Sequence, residues 1–290
     1  IIDEIKWLQK SVPIKTVAFV DDVFTIHKKW TLEFANVYAR RCGIPFSINA
    51  RFDHMDEEII SALAKAGLSL VHCGIESGNE YMRNIVMLRE QTLQSIYKAA
   101  NLLKKYQVKL LTENVVGNPG ETFEMAMETL KLNMEIKPEI SNASIFAPYP
   151  GLQMTQYAIK GGYFDGNFDK LESTYWDSSV LKFKKKSDER KIYNLRCFFS
   201  LLTQHSSLIW LIRPLLNLPF RKLFWSIGNI LDGYYTRKGM AYKLKPKEFI
   251  ITAIHFLTNY RNSRKLSKDS TNRWEQKNFK DKVHRTIYQQ

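Results

Sequence analysis

A carboxylate between two glycines marks the stretch of this 290-residue chain that could take part in ligand binding or catalysis. The stretch is Gly74-Ile-Glu-Ser-Gly78, and it directly follows the apolar run Leu68–Val71. Glycine lets the backbone bend sharply or lie against a ligand. A carboxylate such as Glu76 would be energetically costly in a fully buried strand. A strand that ends in this way is typical of the ligand-binding edge of an α/β fold. An ordinary tight turn after a strand would use the same residue types.

Polar residues also follow the other predicted strands, each at the point where the strand ends. They are Asp21, Asp22, Arg51, Asp53, Glu76, Ser77, Asn114 and Glu121. Because the carboxyl ends of parallel strands meet at one edge of a sheet or barrel, we expect these side chains to share a site. Asp56 and Thr122 stand apart, because each precedes a helical pattern and is better interpreted as an N-cap.

Five strands that alternate with helices are needed to position these side chains. Short apolar and β-branched runs predict strands at residues 16–20, 45–50, 68–73, 108–116 and 141–147. Apolar residues at helical spacing predict helices at residues 29–41, between Asp56 and Gly67, and at 92–105 and 123–136. Helices of this length between strands imply right-handed βαβ crossovers and a parallel sheet.

Composition bounds the class of protein. The 44% hydrophobic content is enough for a real core. The three cysteines, Cys42, Cys73 and Cys197, are widely spaced, which argues against a metal site or a disulfide framework and favours a reducing, cytoplasmic compartment. The four isolated histidines are interpreted as core or surface residues and not as ligands: His27, His54, His72 and His205. The chain begins Ile-Ile-Asp-Glu, without Met or a signal peptide, and we interpret it as a piece of a longer protein.

The net charge is unevenly placed. The first 160 residues hold as many acidic as basic side chains, so the whole charge of +14 lies in the remainder. This asymmetry predicts two regions with different roles and a boundary near Gly161-Gly162. We therefore divide the chain into a barrel-like region at 1–162, a helical region at 163–260 and a basic, polar tail at 261–290.

The basic half contains one very apolar stretch, residues 207–231. Pro214, Pro219 and several cations interrupt it, so a clean membrane-spanning helix is not available. Its mixture of basic and aromatic residues suits a helix that lies on a membrane surface. The aromatics are Trp210, Phe220, Phe224 and Trp225. An ordinary helix packed on the barrel is the alternative. Just upstream, Ser187 is predicted to cap a helix with Ile192, Leu195, Phe199 and Leu202 inward.

Five motifs together resemble the radical S-adenosylmethionine enzymes, and they occur in that family's order. They are Phe19-Val-Asp-Asp-Val-Phe24, Arg51-Phe-Asp53, Gly74-Ile-Glu-Ser-Gly78, Gly117-Asn-Pro-Gly-Glu-Thr122 and Pro148-Tyr-Pro-Gly151 with Tyr157 and Gly161. The resemblance covers residues 1–162 and is greatest to the branch with an upstream cobalamin-binding domain. It implies an α/β fold, a partial (β/α)6 TIM-like barrel lacking its first strand, followed by a mostly helical C-terminal region.

The resemblance also implies residue roles. It assigns to S-adenosylmethionine the residues Asp21, Asp22, Arg51, Glu76, Ser77, Gly78, Gly117 and Gly120. Acidic side chains suit the ammonium and the ribose diol, and a guanidinium suits the carboxylate. Either Asp21 or Asp22 would lie near the methionine end, and the glycine loop would let backbone approach the adenine. The alternatives are a solvent-exposed Asp pair and a structural ion pair between Arg51 and Glu76.

The family holds a 4Fe-4S cluster on three cysteines in a loop that precedes the helix with which this chain begins. No cysteine here can replace that loop, and Cys73 is interpreted as a small core residue. We therefore expect the chain itself to supply no metal ligand and to be inactive alone. Its parent would use S-adenosylmethionine, the cluster and, on an upstream domain, cobalamin.

Two functions follow from this interpretation. The first is part of a radical S-adenosylmethionine enzyme, which cleaves the cofactor reductively to a 5′-deoxyadenosyl radical and then abstracts hydrogen, or transfers a methyl group through cobalamin. Its substrate would be a small or lipid-like molecule. The second is a non-catalytic, degenerate barrel that binds a partner or a membrane surface through its basic half. Nucleic acid is disfavoured as a partner because no nucleic-acid motif is present. The expected location is cytoplasmic, with peripheral contact to the membrane as an option.

Overall fold

The computed structural model describes residues 1–171 and 179–240. The basic tail predicted at 261–290 lies outside the described residues, as does the part of the helical region that follows residue 240.

A five-stranded parallel sheet organises the first half of the chain. Its strands lie side by side in sequence order. They are β1 (Val17–Phe19), β2 (Phe46–Ala50), β3 (Leu68–Glu76), β4 (Lys109–Val116) and β5 (Ile140–Ile145). The predicted α/β class and the parallel pairing of all five strands are confirmed, and β3 occupies the centre of the sheet.

Helices connect the strands as the hydrophobic pattern predicts. They are α1 (Ile2–Gln9), α2 (Lys28–Arg41), α3 (Glu57–Lys65), α4 (Leu93–Lys105), α5 (Phe123–Ile136) and α6 (Gln153–Lys160). The side chain of Asp56 accepts the Ile59 N–H at 2.9 Å, and that of Thr122 accepts the Met125 N–H at 3.3 Å. Both bonds satisfy N–H groups that lack a partner within the helix, which confirms the two residues as N-caps.

The central strand is longer than predicted. The sequence places its end near Cys73, but pairing with β4 continues to Glu76 through a register shift between Gly74 and Glu76. Such a bulge adds one unpaired residue, here Ile75, and re-aims the side chain that follows it. The segment from Gly74 to Glu76 is therefore the last part of the strand, and Ser77 and Gly78 lie beyond it.

Three further helices lie beside the sheet on the β5 side. They are α7 (Lys186–Gln204), α8 (Ile209–Leu215) and α9 (Arg221–Gly239). The predicted Ser187 cap is wrong: α7 already begins at Lys186, after Lys185 in extended backbone, and no side-chain cap is formed. The inward residues predicted for this helix are confirmed, because Ile192, Leu195, Phe199 and Leu202 are all buried. They pack with α5 and β5 in one apolar cluster.

The apolar stretch at 207–231 is two helices and a turn, because α8 ends at Leu215 and α9 begins only after Pro219. Phe224 is buried and Trp225 packs against the same apolar cluster, so the packed-helix alternative holds for these two rings. Trp210 and Phe220 are exposed. Within residues 1–171 and 179–240, no helix combines the length and apolar character that a bilayer crossing requires.

Close backbone contact joins α7 to α9. A Cβ on Gly228 would lie 2.8 Å from the carbonyl oxygen of Cys197 and 2.9 Å from its Cα. Nearby, Arg196 of α7 forms an ion pair with Asp232 of α9 at 3.3 Å and donates to the Ala143 carbonyl of β5 at 3.2 Å. The two helices are therefore fixed to the last strand and to each other.

Two glycines of α9 test this packing. We expect Gly228→Ala to destabilise the protein by about 1–3 kcal/mol, because the new methyl group meets backbone that cannot move aside. Gly233→Ala is the matched control, since a Cβ there meets nothing within 4 Å. It should stabilise by about 0.5–1 kcal/mol through helix propensity alone. Urea unfolding measures both changes, and equal effects of the two substitutions would contradict the described packing.

Candidate cofactor site at the strand ends

Glu76 ends the central strand in an unusual backbone conformation. Its φ is +63°, in the left-handed region that non-glycine residues rarely adopt. The carboxylate turns back over Gly74 and meets the Arg89 guanidinium at 3.4 Å. A side chain at Gly74 would collide with both groups, since a Cβ there would lie 2.8 Å from Arg89 Nη2. Glycine at position 74 therefore creates the space in which Glu76 lies.

Arg51 holds the segment that carries Arg89. Its guanidinium donates to the Arg89 carbonyl oxygen at 2.8 Å and pairs with Asp53 at 2.8 and 3.0 Å. The proposed structural ion pair between Arg51 and Glu76 is therefore not formed. Burial alone would raise the pKa of Asp53, but the bonds and charge of Arg51 outweigh it and hold that pKa below its usual value.

Strained backbone gathers around this site. Among the described residues, five that are not glycine have positive φ. Gln107 and Lys137 lie at the C-terminal ends of α4 and α5, where left-handed residues are common. The other three are Glu76, Leu88 and Glu90. The last two flank Arg89, just after a single π-helical segment at Tyr81–Val86. Both strain and π-helical turns concentrate at functional sites.

The neighbouring strand brings a second carboxylate to the same side. Thr112 and Asn114 of β4 both hydrogen-bond to Asn133 of α5, so they face the helix layer. Because successive strand residues face opposite sides, Glu113 faces away from α5. In the strand register Glu113 lies beside Gly74.

Burial disfavours the ionised form of both carboxylates. It raises the pKa of Glu76, although Arg89 opposes the shift. It also raises the pKa of Glu113, against a 2.9 Å hydrogen bond from Asn142, and the charge of Glu76 adds to that rise. Two adjacent carboxylates of this kind favour a positively charged ligand, which would stabilise their ionised forms.

Arg89 has spare capacity for an anionic group. Its Nε is buried and has no hydrogen-bond partner among the residues that the structure describes. Its Nη2 lies 3.4 Å from the Glu76 carboxylate and 3.4 Å from the Gly74 carbonyl oxygen. The strand end thus combines two carboxylates with one incompletely bonded guanidinium, which suits a ligand that carries charges of both signs.

Ser77 and Gly78 lie against α5. The Gly78 N–H donates to Thr129 Oγ1 at 2.9 Å, and a Cβ on Gly78 would lie 2.6 Å from the Thr129 Cα. The fully buried Arg83 donates to the carbonyls of Ser77 and Gly78 at 2.9 and 3.1 Å. These contacts fix the path of the chain after β3, so both residues have a positioning role in addition to their predicted place beside the cofactor.

Asp21 and Asp22 follow β1, and both are exposed. Their loop is tied to the sheet because the Phe24 N–H donates to the Asn49 carbonyl at 2.9 Å. The structure therefore places this pair at the carboxyl edge shared with Arg51 and Glu76. The role of either aspartate stays a prediction.

Gly117 and Gly120 lie in the loop after β4, at φ +74° and +81°. A Cβ on Gly117 would lie 3.6 Å from Ile145 and from Phe183, and one on Gly120 would lie 2.9 Å from the Tyr163 hydroxyl. These glycines therefore adjoin β5 and the segment that follows α6. Their predicted approach to adenine is not tested by these contacts.

Glu121 closes this loop from within. Its carboxylate accepts the Asn118 N–H at 2.9 Å and the Asn118 side-chain amide at 3.2 Å. Burial raises the pKa of Glu121 to about 7 against these bonds. Its other oxygen is buried without a partner among the described residues.

The cysteines do not form a cluster site. Cys42 ends α2, Cys73 lies in β3 and Cys197 lies in α7, and the last two are buried. Residues 1–171 and 179–240 hold no group of His, Cys, Asp or Glu arranged to bind a metal ion. The donor set of the described residues therefore does not fit an iron–sulfur cluster.

Sequence reasoning missed Arg89 and Glu113. Arg89 follows a segment without glycine, so nothing in the sequence indicated left-handed residues on both sides of it. Glu113 interrupts the apolar strand Val108–Val116, and a lone carboxylate within such a run was a usable signal.

A parallel sheet with polar groups gathered at its strand ends is typical of barrel-like α/β folds. The sequence model of the Radical SAM superfamily matches residues 1–132, a little under half of the chain. This part of the chain is therefore similar to that superfamily.

Individual proteins are also similar to this chain. An uncharacterized methyltransferase of Pyrococcus horikoshii is 28% identical over 160 residues, 55% of this chain and 35% of the relative. The anaerobic magnesium-protoporphyrin IX monomethyl ester cyclase of Rubrivivax gelatinosus is 25% identical over 251 residues, 81% of this chain and 44% of the relative. Among solved structures, the cobalamin-dependent S-adenosylmethionine radical enzyme OxsB has a TM-score of 0.53 at 15% identity, covering 90% of this chain and 44% of that one. The chain thus spans less than half the length of these proteins.

The buried carboxyl of Glu121 should make folding depend on pH. Its pKa rises from 4.5 to about 7 on folding, so the protonated group favours the folded state below pH 4.5 and that stability is lost as pH rises through about 7. The shift corresponds to roughly 3 kcal/mol. We expect Glu121→Gln to remove this part of the pH dependence in urea unfolding. Glu124→Gln, at an exposed carboxylate of α5, is the control and should keep the wild-type profile.

Proposed function

We propose that this chain is the S-adenosylmethionine-binding part of a radical S-adenosylmethionine enzyme of the cobalamin-dependent branch. The observation that carries the proposal is the pair of half-buried carboxylates, Glu76 and Glu113, beside the incompletely bonded guanidinium of Arg89. The names of the relatives support a methyl transfer or a cyclisation as the reaction of the whole protein.

The residues present fit S-adenosylmethionine. The ligand carries a sulfonium and an ammonium, which the carboxylates of Glu76 and Glu113 would stabilise, and a carboxylate, which Arg89 would bind. Arg51 acts indirectly, because it fixes the Arg89 backbone through a 2.8 Å hydrogen bond. Asp21 or Asp22 and the loop Gly117–Gly120 keep their proposed places at the methionine end and at the adenine.

When bound, S-adenosylmethionine supplies hydrogen-abstracting chemistry or, with cobalamin, a methyl group. The residues of this chain bind and orient it, and burial around Glu76 keeps water from competing for the carboxylates. We place the cluster ligands and any cobalamin-binding residues elsewhere in the parent protein, because the three cysteines here do not fit a cluster.

Binding of S-adenosylmethionine to the 290-residue chain tests this proposal. Because burial raises the pKa of Glu76, affinity should rise as pH increases above the usual carboxylate range. Glu76→Gln should flatten that rise and weaken binding by about 1–3 kcal/mol, the scale of a lost charge-assisted hydrogen bond. Equilibrium dialysis with labelled ligand measures both. Glu33→Gln, at an exposed position of α2, should behave like the wild type, and unchanged affinity of the folded Glu76→Gln variant would reject the proposed role.

A second function, peripheral attachment to anionic membranes, is favoured by exposed residues of α8 and α9. An exposed ridge winds along α9 in four-residue steps of about 40° around the helix, with an aliphatic residue at its centre and a lysine at each end. It consists of Lys222, Ser226, Ile230, Tyr234 and Lys238, and all five side chains are exposed. Trp210 of α8 is 73% exposed, as is Ile230. Such a surface combines apolar insertion with attraction to anionic lipid, at about 1 kcal/mol per basic residue.

Co-sedimentation with vesicles tests this attachment. We expect the chain to bind anionic vesicles more strongly than neutral ones, and salt to weaken the binding. The double variant Trp210→Ser, Ile230→Ser should bind vesicles more weakly by about ten-fold or more, because two apolar side chains that would insert into the bilayer are removed. Trp7→Ser removes a similarly exposed tryptophan of α1 and is the control. Equal binding to both vesicle types, or an equal loss in the control, would contradict attachment through this surface.

A further inference from the structure

A cavity of about 210 Å³ opens where the helical region meets the ends of β4 and β5. Gly117 and Ile145 contribute the strand side of its wall. The segment before α7, the first half of α7, the α8–α9 turn and the start of α9 contribute the rest, including Lys186, Glu189, Arg190, Tyr193, Leu218 and Arg221.

The charges that line this cavity are unbalanced. Lys186, Arg190 and Arg221 are cationic, and Glu189 is the one acidic residue of the described wall. The Arg221 guanidinium stacks on the Tyr193 ring, with its central carbon 4.1 Å from the ring centroid. That stacking orients the guanidinium, which reduces the entropy lost when it binds a carboxylate or phosphate.

The cavity is held in shape by hydrogen bonds between α7 and the α8–α9 turn. Asn194 donates to the Leu216 and Leu218 carbonyls at 2.9 and 3.0 Å. Arg190 donates to the Asn217 carbonyl at 3.2 Å through one nitrogen of its guanidinium. These bonds fix the α8–α9 turn on α7, so the cavity is a preformed site.

The inner wall is apolar. Ile145, Phe183, Ile192 and Leu218 line it below the cations. A cationic rim over an apolar wall matches a ligand with an anionic end and an apolar body, as sites of this kind use few polar groups to fix orientation.

We propose that this cavity binds the carboxylate or phosphate end of an organic ligand with an apolar body. Gly117 lies three residues beyond Asn114, the register partner of Glu76, or about 10 Å along the strand direction. The assignment of this ligand as the substrate rests on the proposed function, whereas anion binding does not. An anion held here would place the rest of the ligand toward the strand ends.

Fluorescence titration of the 290-residue chain with three naphthalene probes tests the proposal. Naphthoate and naphthyl phosphate represent the two anionic groups, and naphthalenemethanol is the neutral analogue. We expect saturable binding of at least one anion, tighter than that of the alcohol by about five-fold or more, the scale of one ordinary hydrogen bond. The stronger of the two anions identifies the chemical group. No saturable anion binding, or equal binding of the alcohol, would overturn the proposal.

Variants of opposite sign locate the site. Lys186→Gln with Arg190→Gln should weaken anion binding about five-fold or more, while Glu189→Gln should strengthen it by removing the like charge. Lys184→Gln with Arg213→Gln changes the net charge equally at exposed residues outside the cavity and is the control. Equal losses in the two double variants, or no gain in Glu189→Gln, would overturn the proposal. All these variants should keep S-adenosylmethionine binding, so failure here is distinguishable from failure of the proposed function.

Discussion

A buried guanidinium fixes the backbone segment that follows the central strand, and the candidate site depends on that segment. Arg83 has no solvent exposure, and it donates to the Ser77 and Gly78 carbonyls immediately after β3. Burying a charge without a carboxylate partner is costly, and burial lowers the pKa of Arg83 accordingly. The cost is offset by backbone carbonyls that would otherwise lack donors. With the chain held there, Glu76 can keep its left-handed backbone and present its carboxylate over Gly74.

From that anchor the strand register distributes the polar groups. Regular pairing with β4 puts Glu113 beside Gly74. The bulge at Ile75 comes after that pair, and beyond it the Glu76 side chain turns back over Gly74. Arg51 on the other side of β3 positions the Arg89 backbone. Three neighbouring strands thus each supply one part of a site with charges of both signs, and none of them does so alone.

Much of this arrangement could be predicted from sequence. The strands, their parallel order and the caps at Asp56 and Thr122 follow from local patterns, because period and capping depend on near neighbours. Arg89 could not be predicted, since its position depends on the left-handed backbone of Leu88 and Glu90, which no glycine marks. Likewise, the packing of Trp225 against the apolar cluster of α5, α7 and β5 depends on tertiary contacts, which local composition does not encode.

The basic cavity has a consequence for how such a protein can diversify. Its cations come from α7 and the start of α9, whereas the carboxylates of the candidate cofactor site come from β3 and β4. Among the described residues of the cavity wall, Gly117 and Ile145 alone lie at the ends of strands. Substitutions on the helical side can therefore change the proposed ligand site without altering the groups at the strand ends. In evolutionary terms, the proposed ligand site and the candidate cofactor site are encoded in separable segments of the same chain.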